Sequence, residues 1–430
     1  MRPSAEVYGR RPSAATASAT KESMMESGRI ERNPDVPETP PLHPRSGREL
    51  EQDAAERLDE IRQYFKDQYA ERNVVARTTT ESGDALDWVP VEAQGEPPYI
   101  EAADRPYDPD RPSSPQPFEA GESRDETGPP GTVPMLRKPL DRITPVGTLQ
   151  DYLSKGIYAK RSTPPDDPSL VQPRAATAVH KYAHAAQGVT NYGTEGFINT
   201  WRPYVQWSNE FSLGQLWEVR GSGAGTDLQT VEVGVQTYYD LYGDWYPHLF
   251  IFYTTNNYTQ MGNYLGGYNR DVKGWEQLSS TVYPGIRVAE SVYAGNQYDL
   301  GIKVMLYLNK WWIRIGNEWM GGYPTSLFNA TGLRDQAASI DWGGEIVDDV
   351  AHHPEATYTW MGSGRFPSEG WSRAAYMRNL TYQSDAAGTM KPVVGYPYVT
   401  NPNAYQISTD FTGSSTWGSH FYWGGPGGVE

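Results

Sequence analysis

Proline and tryptophan are divided between the two ends of this 430-residue chain, and the division limits what it can fold into. Of 34 prolines, 24 fall before residue 176, whereas 13 of 14 tryptophans fall after it, Trp88 being the exception. Large aromatic side chains build cores, while stretches rich in Pro, Ser, Glu and Asp bury too little apolar surface to offset the entropy of an ordered backbone. The pattern therefore predicts one globular domain of about 250 residues over 176–430, behind a long leader.

Within the leader, residues 1–130 read as largely disordered, with one amphipathic helix near 49–72. There Leu50, Ala54, Leu58, Ile61 and Phe65 fall on one face, and charged residues on the other. Prolines from Pro97-Pro98 to Pro129-Pro130 mark 90–131 as an extended linker. Residues 131–175 form a separate segment and linker. Val133 to Leu136 and Leu149 to Leu153 supply enough apolar side chains to lie against a folded surface, and Pro164-Pro165-Asp166-Asp167-Pro168 then breaks the chain again.

After His180 the period changes to two. Phe211 to Val219, Leu249 to Thr254 and Tyr298 to Leu306 alternate as half-buried strands do, with turn signals such as Tyr242-Gly243-Asp244 and Gly321-Gly322-Tyr323-Pro324 between them. Many short strands with little helical periodicity point to an all-β, antiparallel sandwich or barrel, and the lack of a fixed repeat argues against a propeller.

The formal charge of −16 excludes nucleic acid as the expected partner, because phosphate recognition needs basic patches, and it suits work in an acidic medium. With no cysteine, thiolate catalysis and Cys-ligated zinc are excluded. No apolar run reaches the roughly 20 residues of a membrane span, and the first residues carry no apolar signal core.

Two carboxylates stand out. Glu345 follows Trp342-Gly343-Gly344 inside a run that otherwise reads as buried strand, where an isolated charge costs several kcal/mol. The glycines suggest a bulge or a close backbone contact there. Glu232 lies in Thr230-Val231-Glu232-Val233-Gly234-Val235-Gln236, where Glu232, Gly234, Gln236 and Tyr238 share one face opposite the valines. A carboxylate, a gap, a carboxamide and a phenol in a row resemble the floor of a polar cleft; a strand with one solvent face fits the same pattern. His180 and His184 are four apart, but Lys181 stands where a zincin has Glu and no third ligand is evident, so no metal or other cofactor is expected. Ser363 sits in a Gly-rich turn without the Gly-x-Ser-x-Gly spacing of a nucleophile elbow.

Read in order, Phe211-Ser212-Leu213-Gly214-Gln215-Leu216-Trp217, Val231-Glu232-Val233-Gly234, Tyr242-Gly243-Asp244, Trp311-Trp312, Gly322-Tyr323-Pro324, Leu327-Phe328, Trp342-Gly343-Gly344-Glu345 and Thr359-Trp360-Met361-Gly362-Ser363-Gly364-Arg365-Phe366 resemble the neprosin family of glutamic peptidases over 178–425. The resemblance implies a jelly-roll-like antiparallel β-sandwich with a substrate cleft on one sheet. It maps the family's catalytic glutamates onto Glu232 and Glu345 by motif. It also implies peptide or protein substrates, a preference in the plant members for the bond after proline, secretion, and synthesis as a zymogen whose activation segment matches 133–160. Two departures are visible: plant members carry cysteines where this chain reads Met261 to Gly267, and Gly-Trp where it reads Gly234-Val235.

Two glutamates brought together across a sheet would not ionise alike, because repulsion raises the affinity of one for a proton. The ionised one, by preference Glu345, would activate water, and the protonated one would donate to the carbonyl oxygen or the leaving amine, with greatest activity at acidic pH. Gln236, Gln215 and Tyr238 are the candidate oxyanion donors. The rival expectation is a non-catalytic β-sandwich that binds carbohydrate or protein through some of its 30 tyrosines and 14 tryptophans.

Overall fold

The period-2 runs become two antiparallel sheets packed face to face. In the first, seven strands run in the order β18 (Tyr396–Val399), β4 (Val179–Asn191), β14 (Ala337–Asp348), β6 (Phe211–Arg220), β7 (Gln229–Thr237), β8 (His248–Thr254) and β9 (Gly266–Tyr268). In the second, the order is β10 (Glu276–Gln277), β13 (Glu318–Pro324), β12 (Lys310–Ile315), β11 (Asp299–Tyr307), β5 (Gly193–Asn199), β16 (Ala375–Gln383), β20 (His420–Gly424) and β19 (Gln406–Asp410), with β17 (Met390–Pro392) also on β16. A short pair, β15 (Ala356–Thr357) and β21 (Gly428–Val429), stands apart. The computed structural model describes residues 52–94, 106, 128–143, 147–155, 179–221, 227–349 and 356–429, all within the unit His43–Glu430. The sequence expectations for 1–48, for most of the proline-rich stretch and for 156–178 lie outside the described residues.

Alternation decides which side chains enter the sandwich. Val231, Val233 and Val235 of β7 and Ile340, Trp342 and Ile346 of β14 are buried on the inner face. Trp342 also donates from its indole to Thr194 Oγ1 of β5, 3.1 Å away, which ties the two sheets together. Gly214 and Gly344 leave room for the indole of Trp423 on β20: a Cβ would stand 2.9 Å from it at Gly214 and 2.1 Å at Gly344. Gly343 meets the backbone of β4, where a Cβ would stand 2.3 Å from His184 Cα. The double glycine thus answers two close approaches; the bulge in β14 lies earlier, between Ala337 and Ser339.

The outer face of the seven-stranded sheet carries Glu232, Gln215 and Glu345, and it too is buried, because the leader covers it. Helix α1 (Gln52–Ala70) turns Leu58, Ile61, Phe65 and Tyr69 inward, and Phe65 meets Tyr152 of α2 (Leu149–Leu153) edge-on at 5.7 Å. Between the helices lies a meander that the sequence reading did not anticipate: β1 (Ala76–Thr79), β2 (Ala85–Pro90) and β3 (Thr132–Leu136). Its four-residue first strand, Ala76-Arg77-Thr78-Thr79, has no apolar alternation, and its third strand arrives from the far side of the proline-rich stretch. Its cohesion comes partly from fully buried Asp87, which accepts from Arg72, Arg77 and Arg137 at 2.9 to 3.3 Å. Three guanidinium groups offset the desolvation that a lone buried carboxylate would suffer.

Candidate active site

Register places the two glutamates. Gln215 of β6 lies opposite Gly234 of β7 on one side and Gly343 of β14 on the other. Two residues along β6, Trp217 lies opposite Glu232; two residues back, Leu213 lies opposite Glu345. Glu232 and Glu345 therefore stand diagonally across Gln215 on the same face of the sheet, on the strands that flank it. Both are fully buried, as is Gln215, whose Nε2 donates to Glu345 Oε2 at 2.9 Å.

Between them sits the side chain of Lys155. Helix α2, started by a capping box of Thr148 and Asp151, ends at Leu153 and is capped by Ser154, the residue before Lys155; the Ser154 N–H bonds back to Gln150 and Asp151. From there Lys155 Nζ reaches Glu345 Oε2 at 2.8 Å and Gln215 Oε1 at 2.9 Å, and it pairs with Glu232 Oε2. The rings of Phe250 and Phe252 on β8 lie 5.9 and 6.0 Å from the ammonium. Lys155 is 3 % exposed, so both ion pairs are shielded from water.

The second oxygen of each carboxylate faces away from Lys155. Glu232 Oε1 accepts from Thr230 Oγ1 at 2.8 Å and from the phenol of Tyr258 at 2.5 Å. Glu345 Oε1 is bonded to His180 Nδ1. The common geometry is one oxygen per glutamate turned toward a shared point, occupied here by an ammonium, and the other held by the sheet and its loops. Tyr268, on β9 beside Phe252 of β8, is pushed well above the usual phenol range, chiefly by burial and also by the charge of Glu345, against the hydrogen bond it receives from Gln236, so it is neutral.

Of the residues singled out from sequence, Glu232, Glu345 and Gln215 meet at Lys155. Gln236 donates to Tyr268 at 3.0 Å, and the Tyr238 ring packs against Phe211 and Tyr268 with centroids 5.6 and 6.5 Å away. At Gly234 a Cβ would lie 2.1 Å from Gly214 O, so the space a side chain would take there is filled by β6. His180 and His184 lie on a strand, not on a zincin-like helix, and each meets its own carboxylate, Glu345 and Asp341, the latter at 2.9 Å.

Sequence reasoning missed Lys155 and Tyr258, and it weighed His180 only as a metal ligand. Tyr258 has φ 57° in the loop after β8, and such a loop position has no periodicity to reveal it.

The leader is seated by specific bonds. Lys138 pairs with Asp271 at 2.9 Å and donates to Leu241 O at 2.8 Å, with both charged groups buried. Burial pulls the Lys138 ammonium below its ordinary range and pushes the Asp271 carboxyl above it, each opposed by the other's charge. Gln150 exchanges two hydrogen bonds of 2.8 Å with the backbone of Met261, and Gln94 exchanges two with Gln277. Backbone-like pairing of this kind fixes the register of the covering segment, so that α2 delivers Lys155 to one place.

The model of the family described as Neprosin matches residues 208–426. Among solved structures, scytalido-glutamic peptidase with a transition state analog inhibitor is similar over 57 % of this chain and 98 % of its own, at 12 % identity and a TM-score of 0.32. SCP-B, a member of the Eqolisin family of peptidases in complex with the tripeptide Ala-Ile-His, is similar over 57 % and 96 %, at 12 % identity and a TM-score of 0.28. CG-16, a homodimeric agglutinin from chicken liver, is similar over 39 % and 93 %, at 8 % identity and a TM-score of 0.20. All three likenesses are too distant to bear on chemistry.

Proposed function

The chain belongs to the neprosin family of peptidases, and on that premise we propose that Glu232 and Glu345 are its catalytic acid–base pair, held latent by Lys155. The observation that carries the reading is the convergence of Glu232 Oε2, Glu345 Oε2 and Gln215 Oε1 on one ammonium. A water of similar size in that place can donate to Glu345 Oε2 and Gln215 Oε1 and accept from a protonated Glu232 Oε2, and one proton shared between the two carboxyl groups is enough to avoid their mutual repulsion.

In the open site, Glu345 takes a proton from the water as its oxygen attacks the peptide carbonyl carbon. Glu232 gives its proton to the carbonyl oxygen, so that the tetrahedral intermediate forms neutral. As the C–N bond breaks, Glu345 passes its proton to the leaving amine and Glu232 recovers one from the intermediate's hydroxyl. One water is consumed, and a carboxylic acid and an amine are released. Gln215 Nε2 holds Glu345 in the attacking orientation, and Thr230 and Tyr258 hold Glu232. Because one member must be protonated and the other ionised, activity is greatest in acid.

Residues 133–155 act as the end of a pro-segment, and maturation cuts the chain within 156–178, downstream of Lys155 and upstream of β4. A wall of aromatic rings beside Glu345 supports a preference for proline. His184 stacks on Trp217 at 5.4 Å and lies 5.7 Å from Tyr182 and 5.4 Å from Tyr398, giving flat apolar faces that a pyrrolidine ring fits.

The test is turnover of a proline-containing peptide by the matured protein and by its Glu232→Gln and Glu345→Gln forms. Loss of at least about 1,000-fold in each, with folding intact, is expected for an acid–base pair acting as a unit. Full activity in either variant would remove that glutamate from the mechanism.

A further inference from the structure

Glu345 is held by two side chains that stand at opposite ends of one connecting stretch. Lys155 touches its Oε2 from just before residues 156–178, and His180 bonds its Oε1 from just after them. Cleavage within that stretch separates their fates: Lys155 departs with the leader, while His180, inside β4, stays with the domain.

The imidazole is fixed in place. It lies nearly parallel to the ring of Tyr182, 13° between planes and 6.1 Å between centroids, and meets Phe211 edge-on at 6.0 Å. The groups facing it are Glu345 from β14, Phe211 from β6 and Tyr182 from its own strand, with Lys155 and Glu232 beyond the Glu345 carboxylate. Lys181 turns to the opposite face and pairs with Asp348 at 2.7 Å. Nε2 is buried and engages none of the described residues, so the tautomer is decided at Nδ1, where an N–H meets a carboxylate oxygen. Glu232 Oε1 accepts from the hydroxyls of Thr230 and Tyr258, which carry no charge. An imidazole can hold a proton on both nitrogens and present a cation to its acceptor.

We infer that His180 is a positioning residue that assigns the shared proton: by donating from Nδ1 to Glu345 Oε1, it keeps Glu345 the ionised member of the pair in the matured site and leaves the proton on Glu232. The inference rests on the acid–base reading above and adds to it a direction. It also gives the two contacts on Glu345 successive roles, Lys155 neutralising the carboxylate during latency and His180 retaining its charge afterwards.

The experiment is the pH dependence of kcat/KM for one proline-containing peptide, measured on matured wild type, His180→Phe and His180→Gln, with Glu345→Gln as reference. Loss of the donor makes Glu345 easier to protonate, so the acidic limb of the His180→Phe profile moves up by about one pH unit, with the change in kcat and not in KM. His180→Gln keeps a neutral N–H donor and falls between the two. Superimposable profiles beside an inactive Glu345→Gln overturn the inference alone; an active Glu345→Gln overturns the acid–base reading and the inference with it. Nitrogen-15 NMR of wild-type histidine does not depend on a variant folding. A protonated Nδ1 on His180 throughout the active range supports the assignment, and a bare Nδ1 there contradicts it.

Discussion

Lys155 Nζ lies 2.8 Å from Glu345 Oε2 while also pairing with Glu232, so one side chain from the leader engages both carboxylates of the proposed catalytic pair. Removing one partner of a buried ion pair costs about 3–5 kcal/mol, because the remaining charge is left without compensation. Lys155→Met keeps the length of the side chain and removes the ammonium. The full-length chain carrying it is expected to hold its leader about 100-fold less tightly, taking the lower figure, and to hydrolyse added peptide before any loss of mass. Peptide turnover together with intact mass, measured on the same sample, checks this. Latency equal to that of wild type would mean that the leader blocks the site by bulk alone.

Tyr258 contributes the phenol that holds Glu232 Oε1. Tyr258→Phe removes a hydrogen bond to a group that carries charge during the cycle, worth about 1.5–3 kcal/mol, so kcat should fall roughly 10- to 100-fold with KM near that of wild type. Steady-state kinetics on the matured variant measures the split. A rise in KM alone would place Tyr258 in substrate binding instead.

Stability should favour acid, and Glu210 supplies one reason. Its carboxyl is pushed from 4.5 up to about 8, chiefly by burial, against the hydrogen bonds from Thr359 and the Asp349 N–H that lower it. A carboxyl with a raised value in the folded state favours folding when protonated. Its contribution is therefore fully present below 4.5 and is lost as pH rises through about 8. Glu218, buried between the sheets and pushed well above its usual range by that burial, acts in the same sense. Glu210→Gln should flatten the fall in Tm between these limits, by up to a few kcal/mol of stability at the alkaline end. Thermal unfolding followed across the same pH range measures it; an unchanged slope would show that other groups govern the alkaline loss.

Alternation and glycine placement made much of the domain legible in the chain itself. Val231, Val233 and Val235 fixed which way Glu232 must point, and Ile340, Trp342 and Ile346 did the same for Glu345. Those two patterns and the position of Gln215 suffice to put three polar side chains on one face. What joins that face from outside was not legible. Lys155 follows a five-residue helix, and Tyr258 sits in a left-handed loop position; neither carries a period or a motif of its own. Gly234 was legible as a gap but not as to what fills it, since only the register of β6 against β7 brings Gly214 O there. The meander β1–β3 was not legible because its strands are short, the first lacks apolar alternation, the third lies beyond the proline-rich stretch, and part of its cohesion lies in three arginines that converge on Asp87 from separate places in the sequence.

The most direct measurement follows the intact mass of the full-length chain with time in mildly acidic buffer, wild type beside Glu345→Gln. If Glu232 and Glu345 cleave peptides and Lys155 holds them latent, wild type loses its leader by a cut within 156–178, and Glu345→Gln keeps its full mass. Equal processing of both chains, or none in either while added peptide is hydrolysed, would contradict the account.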